Sequence, residues 1–127
     1  MIFIDSNVFI YAVGRSHPLR EKSQRFFLQA YKGKKILVTS AEVLQELLHV
    51  YLPVGRLETL DAALKLATEV VSRVIPVDKE TVLHARNLAD SHPELTSRDL
   101  LHLAVCHIHK IGEIKTFDRN LLAAFIK

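Results

Sequence analysis

The sequence predicts an α/β domain in which short parallel strands are covered by helices on both faces. Three observations support this prediction: four short apolar runs, amphipathic helical patterns between them, and capping or turn residues where the pattern changes. The chain has 127 residues, the usual length of one domain, and its 49% hydrophobic residues are enough for a substantial core. We therefore expect a single three-layer α/β/α domain over residues 1–127, with a central parallel sheet of four to five short strands.

The predicted strands are apolar runs that are too short to be helices. Residues 1–4 are wholly apolar, which is typical of a strand buried on both faces. Further strands are expected at residues 36–38, 74–77 and 114–117. Functional groups on a parallel sheet lie at the carboxyl ends of its strands, and Asp5 and Asp118 both follow such ends.

Capping residues and helix breakers mark the ends of the predicted helices. Pro18 suits the first turn of a helix that Gly33 ends. Thr39 and Glu42 have the spacing of a capping box, and Asp78 is the expected cap of a later helix. Seven helices are predicted, at residues 7–13, 18–32, 39–52, 57–72, 78–89, 96–110 and 119–126.

Composition limits the setting of the protein and its partners. A single cysteine, Cys106, excludes an internal disulfide and fits a reducing compartment. No apolar run is long enough to span a bilayer, and the first ten residues carry Asp5 and do not resemble a signal peptide. We expect a cytoplasmic protein without a membrane partner.

Basic residues are concentrated before the second strand. The formal net charge is +3, and Arg15, Lys32, Lys34 and Lys35 belong to a stretch with few acids. Such a stretch binds a phosphate backbone by releasing counterions, so these four residues are candidates for RNA contact. A solvated helix face with a lysine-rich loop explains the same pattern without RNA.

Four acids stand out by their position: Asp5, Glu46, Asp99 and Asp118. Each alone has a simpler explanation as a helix cap or as half of a surface ion pair. Together in one pocket they would repel each other unless a divalent cation joined them, and hard oxygen ligands select Mg²⁺ or Mn²⁺. Such a cluster activates water and stabilises the leaving oxygen of a phosphodiester. An acidic pocket in a basic protein therefore indicates a nuclease.

Four segments in register resemble the signature segments of the PIN domain. In size and around Asp99 and Asp118, the chain is most similar to the VapC toxins of bacterial and archaeal toxin–antitoxin pairs. The resemblance covers essentially the whole chain, in the segments Ile2-Phe3-Ile4-Asp5-Ser6-Asn7-Val8, Thr39-Ser40 with Glu46-Leu47, Ser97-Arg98-Asp99-Leu100-Leu101-His102-Leu103-Ala104, and Thr116-Phe117-Asp118-Arg119.

The resemblance implies a metal-dependent endoribonuclease that acts as a toxin. It implies that Asp5, Glu46, Asp99 and Asp118 are the catalytic, metal-binding acids, with Mg²⁺ or Mn²⁺ as the cofactor. It also implies a homodimer and a small VapB-like antitoxin. Hydrolysis by an activated water would leave a 5′-phosphate and a 3′-hydroxyl. The supporting residues that it implies are Ser6, Asn7, Thr116 and Asn120, the last of which stands where many relatives carry another acid.

Other interpretations use different residues. His102, Cys106 and His109 share one helical stripe, but it spans two to three turns, so we favour a polar-leaning face with a buried cysteine over a zinc site. His49 is expected on the surface or in the core. A haloacid dehalogenase-like phosphatase would need an acid where Asn7 stands. A PIN nuclease for RNA processing without a toxin role, and an idle RNA-binding or partner-binding module, are the remaining alternatives.

Overall fold

Four short strands form one parallel sheet in the computed structural model, which describes residues 1–126. The strands are β1 (Ile2–Ile4), β2 (Leu37–Ser40), β3 (Arg73–Ile75) and β4 (Glu113–Lys115). Their order across the sheet is β3-β2-β1-β4, and every neighbouring pair is parallel. The predicted parallel sheet is confirmed.

The helices form two packed groups around this sheet, which gives the expected three layers. Helix α1 packs against α2, α3 and α4, whereas α6 packs against α5 and α7. A 3₁₀ turn, Leu52–Val54, follows α3. The helices are α1 (Ser6–Val13), α2 (Pro18–Lys32), α3 (Ala41–Tyr51), α4 (Leu57–Val70), α5 (Lys79–Ala89), α6 (Ser97–Ile108) and α7 (Arg119–Ile126).

The strand order creates a crevice between β1 and β4. From β1 the chain adds β2 and then β3 on one side, and it then crosses to the other side of β1 to add β4. The direction of the connections reverses at this point, and ligands of open parallel sheets bind outside the carboxyl ends of the strands there. Asp5 and Asp118 follow the two strands that border this crevice.

The second strand, expected at 36–38, extends to Ser40, whereas the third and fourth end earlier than predicted because their backbones lose their sheet partners. The third strand was expected at 74–77 but ends at Ile75, and Pro76 has no N–H to donate to the ladder. The fourth was expected at 114–117 but ends at Lys115. Beyond it, the Phe117 N–H donates to the side chain of Asn7 at 3.2 Å and not to a strand.

The predicted capping box at Thr39 was also wrong. Thr39 is still in β2, where its hydroxyl donates to the carbonyl of Ile4 at 2.8 Å. Ser40 caps α3 and accepts from the N–H of Val43 at 3.3 Å. Both residues are fully buried, and the hydroxyl of Thr39 ties the end of β2 to the end of β1, immediately before Asp5.

The core lies along the central strand and the inner faces of the helices. Phe3 and Ile4 of β1 are fully buried, as are Leu47 of α3 and Leu121 of α7. Within residues 1–126, none of the helices combines the length and the hydropathy that a bilayer crossing requires.

Candidate metal and active site

Asp5 is held rigidly at the end of β1. It is only 4% exposed. One carboxylate oxygen, Oδ1, accepts from the N–H of Ser6 at 2.7 Å, so Asp5 also caps α1. The other, Oδ2, accepts from the hydroxyl of Thr116 at 2.7 Å. The ends of β1 and β4 are thereby joined through the side chain that the sequence predicted as a metal ligand.

Glu46 reaches the same place from the middle of α3. Its Oε2 accepts from the hydroxyl of Ser6 at 3.1 Å, and its Oε1 is hydrogen-bonded to Nε2 of His102. That ring nitrogen also lies 3.5 Å from Oδ1 of Asp5. Ligand atoms of Asp5, Glu46 and His102 all lie within 4.8 Å of one another. The structure therefore brings two of the four predicted acids into direct proximity.

Asn7 and Thr116 form the bridge between the first and last segments of the site. The side-chain amide of Asn7 donates to the hydroxyl oxygen of Thr116 at 3.3 Å. The same hydroxyl oxygen accepts from the N–H of Asp118 at 3.0 Å. These contacts fix the backbone between the end of β4 and the start of α7, and with it the position of Asp118.

Asp118 is both a helix cap and a candidate ligand. Its Oδ1 accepts from the N–H groups of Asn120 at 2.9 Å and Leu121 at 3.1 Å. These are free donors of the first turn of α7, so the cap is real. A carboxylate has further lone pairs on both oxygens, which leaves Asp118 able to bind a cation at the same time.

Asp99 lies in the first turn of α6 and is not part of the group of close ligand atoms that Asp5, Glu46 and His102 form. Burial raises the pKa of its carboxyl, and the nearby charges of Asp118 and Asp5 raise it further. A hydrogen bond with Thr96, which caps α6, opposes this increase. The effect of these two charges on the pKa of Asp99 agrees with a position near the same region of the surface.

A divalent cation fits this donor set. Burial raises the pKa of Asp5, and the charge of Glu46 raises it further, although His102 and Thr116 lower it. For His102, burial lowers the pKa, but the hydrogen bond to Glu46 and the charges of Asp5 and Asp99 outweigh burial and raise it. Carboxylates that are costly to ionise beside one another become stable when a cation joins them. Oxygen donors in this number suit Mg²⁺ or Mn²⁺.

Ionising the buried Asp5 is costly in the metal-free protein. The difference in folding stability between the wild type and Asp5→Asn should therefore depend on pH. Because the folded-state pKa of Asp5 is raised above 3.8, the wild type gains stability from its protonated form below the unfolded-state pKa. That gain is lost as the pH rises through the folded-state pKa, whereas the Asn variant does not titrate. Denaturant unfolding in EDTA between pH 4 and pH 8 should therefore show the wild type losing stability relative to the variant. A difference that is independent of pH would contradict the raised pKa.

The interpretation of His102 as part of a polar-leaning helix face was wrong. His102 is fully buried and contacts the acids, with its ring 5.5 Å from that of Phe3. Cys106 is buried as expected, and burial raises the pKa of its thiol to about 12. Neither Cys106 nor His109 joins the ligand group found among residues 1–126, and His49 is exposed on α3.

Glu42 is a second residue that the sequence did not assign to the site. It lies one turn before Glu46 on α3, and its pKa is raised by burial and by the charge of Glu46. Spacing was the signal in both cases: Glu42 is four residues from Glu46, and His102 is three residues from Asp99.

The basic candidates do not line the acidic pocket. Lys32 is exposed at the end of α2, and Lys34 and Lys35 are exposed between α2 and β2, which begins beside Ile2 at Leu37. They therefore lie at the amino ends of the strands, about 10 Å or more from Asp5 along the sheet. Arg15 is exposed in the loop between α1 and α2, and Asn120 is exposed at the start of α7.

Comparison with known proteins agrees with this geometry. Residues 2–125 match the profile of the PIN domain. The chain is 51% identical over 125 residues to ribonuclease VapC23 of Mycobacterium tuberculosis, with 98% of each chain covered. It is 41% identical over 120 residues to ribonuclease VapC13 of the same organism, which covers 94% of this chain and 92% of the relative.

Solved structures share the fold at lower identity. The chain superimposes on Mycobacterium tuberculosis VapC20, a toxin that cleaves the sarcin–ricin loop, with a TM-score of 0.81 and 20% identity over 98% of this chain and 95% of the other. FitAcB from Neisseria gonorrhoeae gives a TM-score of 0.64 at 20% identity, over 99% and 94% of the two chains. The chain belongs to the PIN-domain family, among its VapC members.

Proposed function

We propose that this protein is a metal-dependent endoribonuclease that acts as the toxin of a type II toxin–antitoxin pair. The observation that carries the proposal is the proximity of Asp5 and Glu46, together with His102, at the carboxyl end of β1. The charges of Asp118 and Asp5 raise the pKa of Asp99, which supports placing all four acids at one site. The names of the relatives, ribonucleases VapC23 and VapC13, support the RNA substrate and the toxin role.

The four acids hold Mg²⁺ or Mn²⁺ in this proposal. When bound, such a cation lowers the pKa of a water molecule and offsets the negative charge that builds up on the phosphate and on its leaving oxygen. The high density of carboxylates in a half-buried pocket supports this role. Phosphate oxygens of the RNA complete the oxygen donors that Mg²⁺ prefers.

The surrounding side chains fix the acids in place. Thr116 and the backbone of Ser6 hold the two oxygens of Asp5. The hydroxyl of Ser6 and the ring of His102 hold those of Glu46. Asn7 keeps Thr116 and Phe117 in register with β1. Acids that do not need to reorganise stabilise the transition state at no cost during the reaction.

Two supporting residues face the substrate in this proposal. Asn120 is exposed beside Asp118, where its amide can donate to an RNA phosphate without adding a negative charge. Asn7 borders the same crevice and is half-buried. In-line attack by water on the phosphorus, with the 3′-oxygen leaving, gives a 5′-phosphate and a 3′-hydroxyl.

The lysines bind the RNA backbone away from the point of cleavage. They lie at the opposite edge of the sheet from the acids, so a strand that contacts both must cross the domain. Replacing Lys32, Lys34 and Lys35 by Gln should weaken RNA binding for all sequences alike. It should lower the slope of log affinity against log salt by about 2, at about 0.7 per phosphate contact on a single strand.

A matched variant separates position from charge in this experiment. Replacing the exposed Lys22, Lys65 and Lys79 by Gln removes the same charge from other surfaces. Binding measured over a salt series should keep its slope in this control. Equal losses of slope in the two variants would assign the effect to net charge alone and exclude Lys32, Lys34 and Lys35 as a defined RNA surface.

The names of the VapC relatives support a proposal on partners and location. We propose a homodimer, a small VapB-like antitoxin that blocks the acidic crevice, and a cytoplasmic setting. Inhibition of cleavage by the product of a neighbouring short reading frame distinguishes a toxin from a PIN nuclease of RNA processing.

Cleavage of a mixed structured RNA pool tests the proposed function. The wild type should cut RNA with Mg²⁺ or Mn²⁺, and EDTA should stop it. End-group analysis should find 5′-phosphates and 3′-hydroxyls. Products with 2′,3′-cyclic phosphates, or cleavage that persists in EDTA, would refute the mechanism. Absence of cleavage from every RNA of the pool, despite bound Mn²⁺, would favour an idle binding module.

A further inference from the structure

Among the described residues 1–126, His102 is a fully buried ring that contacts Glu46 and Asp5. It lies on α6, is fully buried, and points Nε2 at Oε1 of Glu46, with Oδ1 of Asp5 at 3.5 Å. Its other ring nitrogen, Nδ1, is also buried and has no hydrogen-bond partner among residues 1–126. The polar contacts of the ring are therefore made through Nε2, and both of them are to the carboxylates of Glu46 and Asp5.

Beside a bound cation, whose charge disfavours the imidazolium form, two roles are chemically open to the neutral ring. As a metal ligand, it would offer the lone pair of Nε2 and carry its proton on Nδ1. Metal-binding histidines almost always donate that second N–H to a carbonyl or carboxylate, but Nδ1 of His102 has no such acceptor here. A buried N–H without an acceptor is costly, so this arrangement is disfavoured.

In the second role, His102 is a hydrogen-bond donor to Glu46, and its N–H has an acceptor. With the proton on Nε2, the ring donates to Oε1 of Glu46, and only an acceptor, Nδ1, remains without a partner. The hydroxyl of Ser6 donates to Oε2 of the same carboxylate at 3.1 Å. Both oxygens of Glu46 then have a fixed donor, which sets the orientation of their remaining lone pairs.

We propose that His102 is a positioning residue that orients the Glu46 carboxylate for the divalent cation through an Nε2–H donor, and that it is not itself a ligand. This inference rests on the proposed function, because it requires that Glu46 bind the cation. It adds a partner of Glu46 that lies outside the set of four acids. Partners of this kind typically contribute 10- to 100-fold to metal affinity.

Two amide variants distinguish donor position from the mere presence of a polar group. The side-chain nitrogen of Gln lies the same number of bonds from the backbone as Nε2, whereas that of Asn corresponds to Nδ1. Mn²⁺ affinity, measured by titration calorimetry, should stay within about threefold of wild type in His102→Gln. It should fall by about tenfold or more in His102→Asn. Far-UV circular dichroism establishes that each variant is folded.

The wild type provides a readout that does not depend on any variant. Electron spin echo envelope modulation of bound Mn²⁺ detects a directly coordinated nitrogen, and the proposal predicts none. Coordinated ¹⁴N in the wild type would overturn the proposal and make His102 a ligand. Wild-type affinity in the Asn variant, or equal losses in both amides, would also overturn it.

The remaining outcomes are also decisive. If His102→Asn does not fold, His102→Leu replaces it as the variant without a donor: a loss of affinity of about tenfold in Leu with retained affinity in Gln supports the positioning role, and any other pair of results overturns it. If the wild type binds no Mn²⁺, the proposed function fails together with this inference. If the wild type binds Mn²⁺ but neither amide changes its affinity, only the inference on His102 fails.

Discussion

Replacing Asp5 by Asn should reduce RNA cleavage by more than about 100-fold, because loss of even an outer partner of a metal site commonly costs 10- to 100-fold. Asn has the same shape and keeps an acceptor for the N–H of Ser6, which lies 2.7 Å from Oδ1 in the wild type. It removes the negative charge that a cation requires. Initial rates on one RNA substrate at saturating Mg²⁺ measure the effect.

The fold should survive this substitution. Burial raises the pKa of Asp5, so its charge is costly in the metal-free protein, and Asn does not carry that cost. The metal-free variant should therefore melt no lower than the wild type at pH 7. Asp61→Asn, in an exposed position on α4, removes the same charge away from the site and should leave the rate within about twofold. An active Asp5→Asn enzyme would remove Asp5 from the catalytic acids.

A pair of variants should separate the two roles of Asp118, as a helix cap and as a metal ligand. Asp118→Asn keeps an oxygen that accepts from Asn120 and Leu121, whereas Asp118→Ala loses both the cap and the charge. Asn and Asp are similar helix caps, so the Asn variant should be nearly as stable as the wild type. Loss of the cap in the Ala variant should cost about 1 kcal/mol. Denaturant unfolding with EDTA measures this difference.

The cleavage rate should depend on the negative charge of Asp118 and not on its capping of α7. Both variants of Asp118 should lose at least about 10-fold in cleavage rate, as expected when a group at a metal site is removed. Mn²⁺ should also raise the melting temperature less in both variants than in the wild type, because a ligand stabilises only the state that binds it. If Asp118→Asn were fully active while Asp118→Ala was unstable, Asp118 would be a helix cap and nothing more.

The sequence was informative about the acids because topology brings strand ends together. Asp5 and Asp118 each follow a strand, and in a parallel sheet all such ends lie at one edge. The same rule determines the position of the lysines. Lys34 and Lys35 precede β2, so they had to lie at its amino end, opposite the acids. In the sequence, only the net basic charge connects these lysines with the acidic pocket.

The sequence was less informative about His102 because helix packing decides which face of α6 is directed at the site. Five consecutive residues from His102 to Cys106 are buried, so apolar periodicity does not identify one inner face. The strand ends depended equally on tertiary contacts, since Thr39 and Ser40 are both possible caps. Only the bond from Thr39 to Ile4 assigns that role to Ser40.

Binding of Mn²⁺ to the metal-free protein is the most direct test of the central claim that the converging acids form a cation site. Titration calorimetry should be run on the wild type, Asp5→Asn and the control Asp61→Asn. We predict saturable binding to the wild type and the control, and an affinity at least about 100-fold lower for Asp5→Asn. No binding to the wild type, or equal binding to Asp5→Asn, would show that the acids are structural and contradict the proposed mechanism.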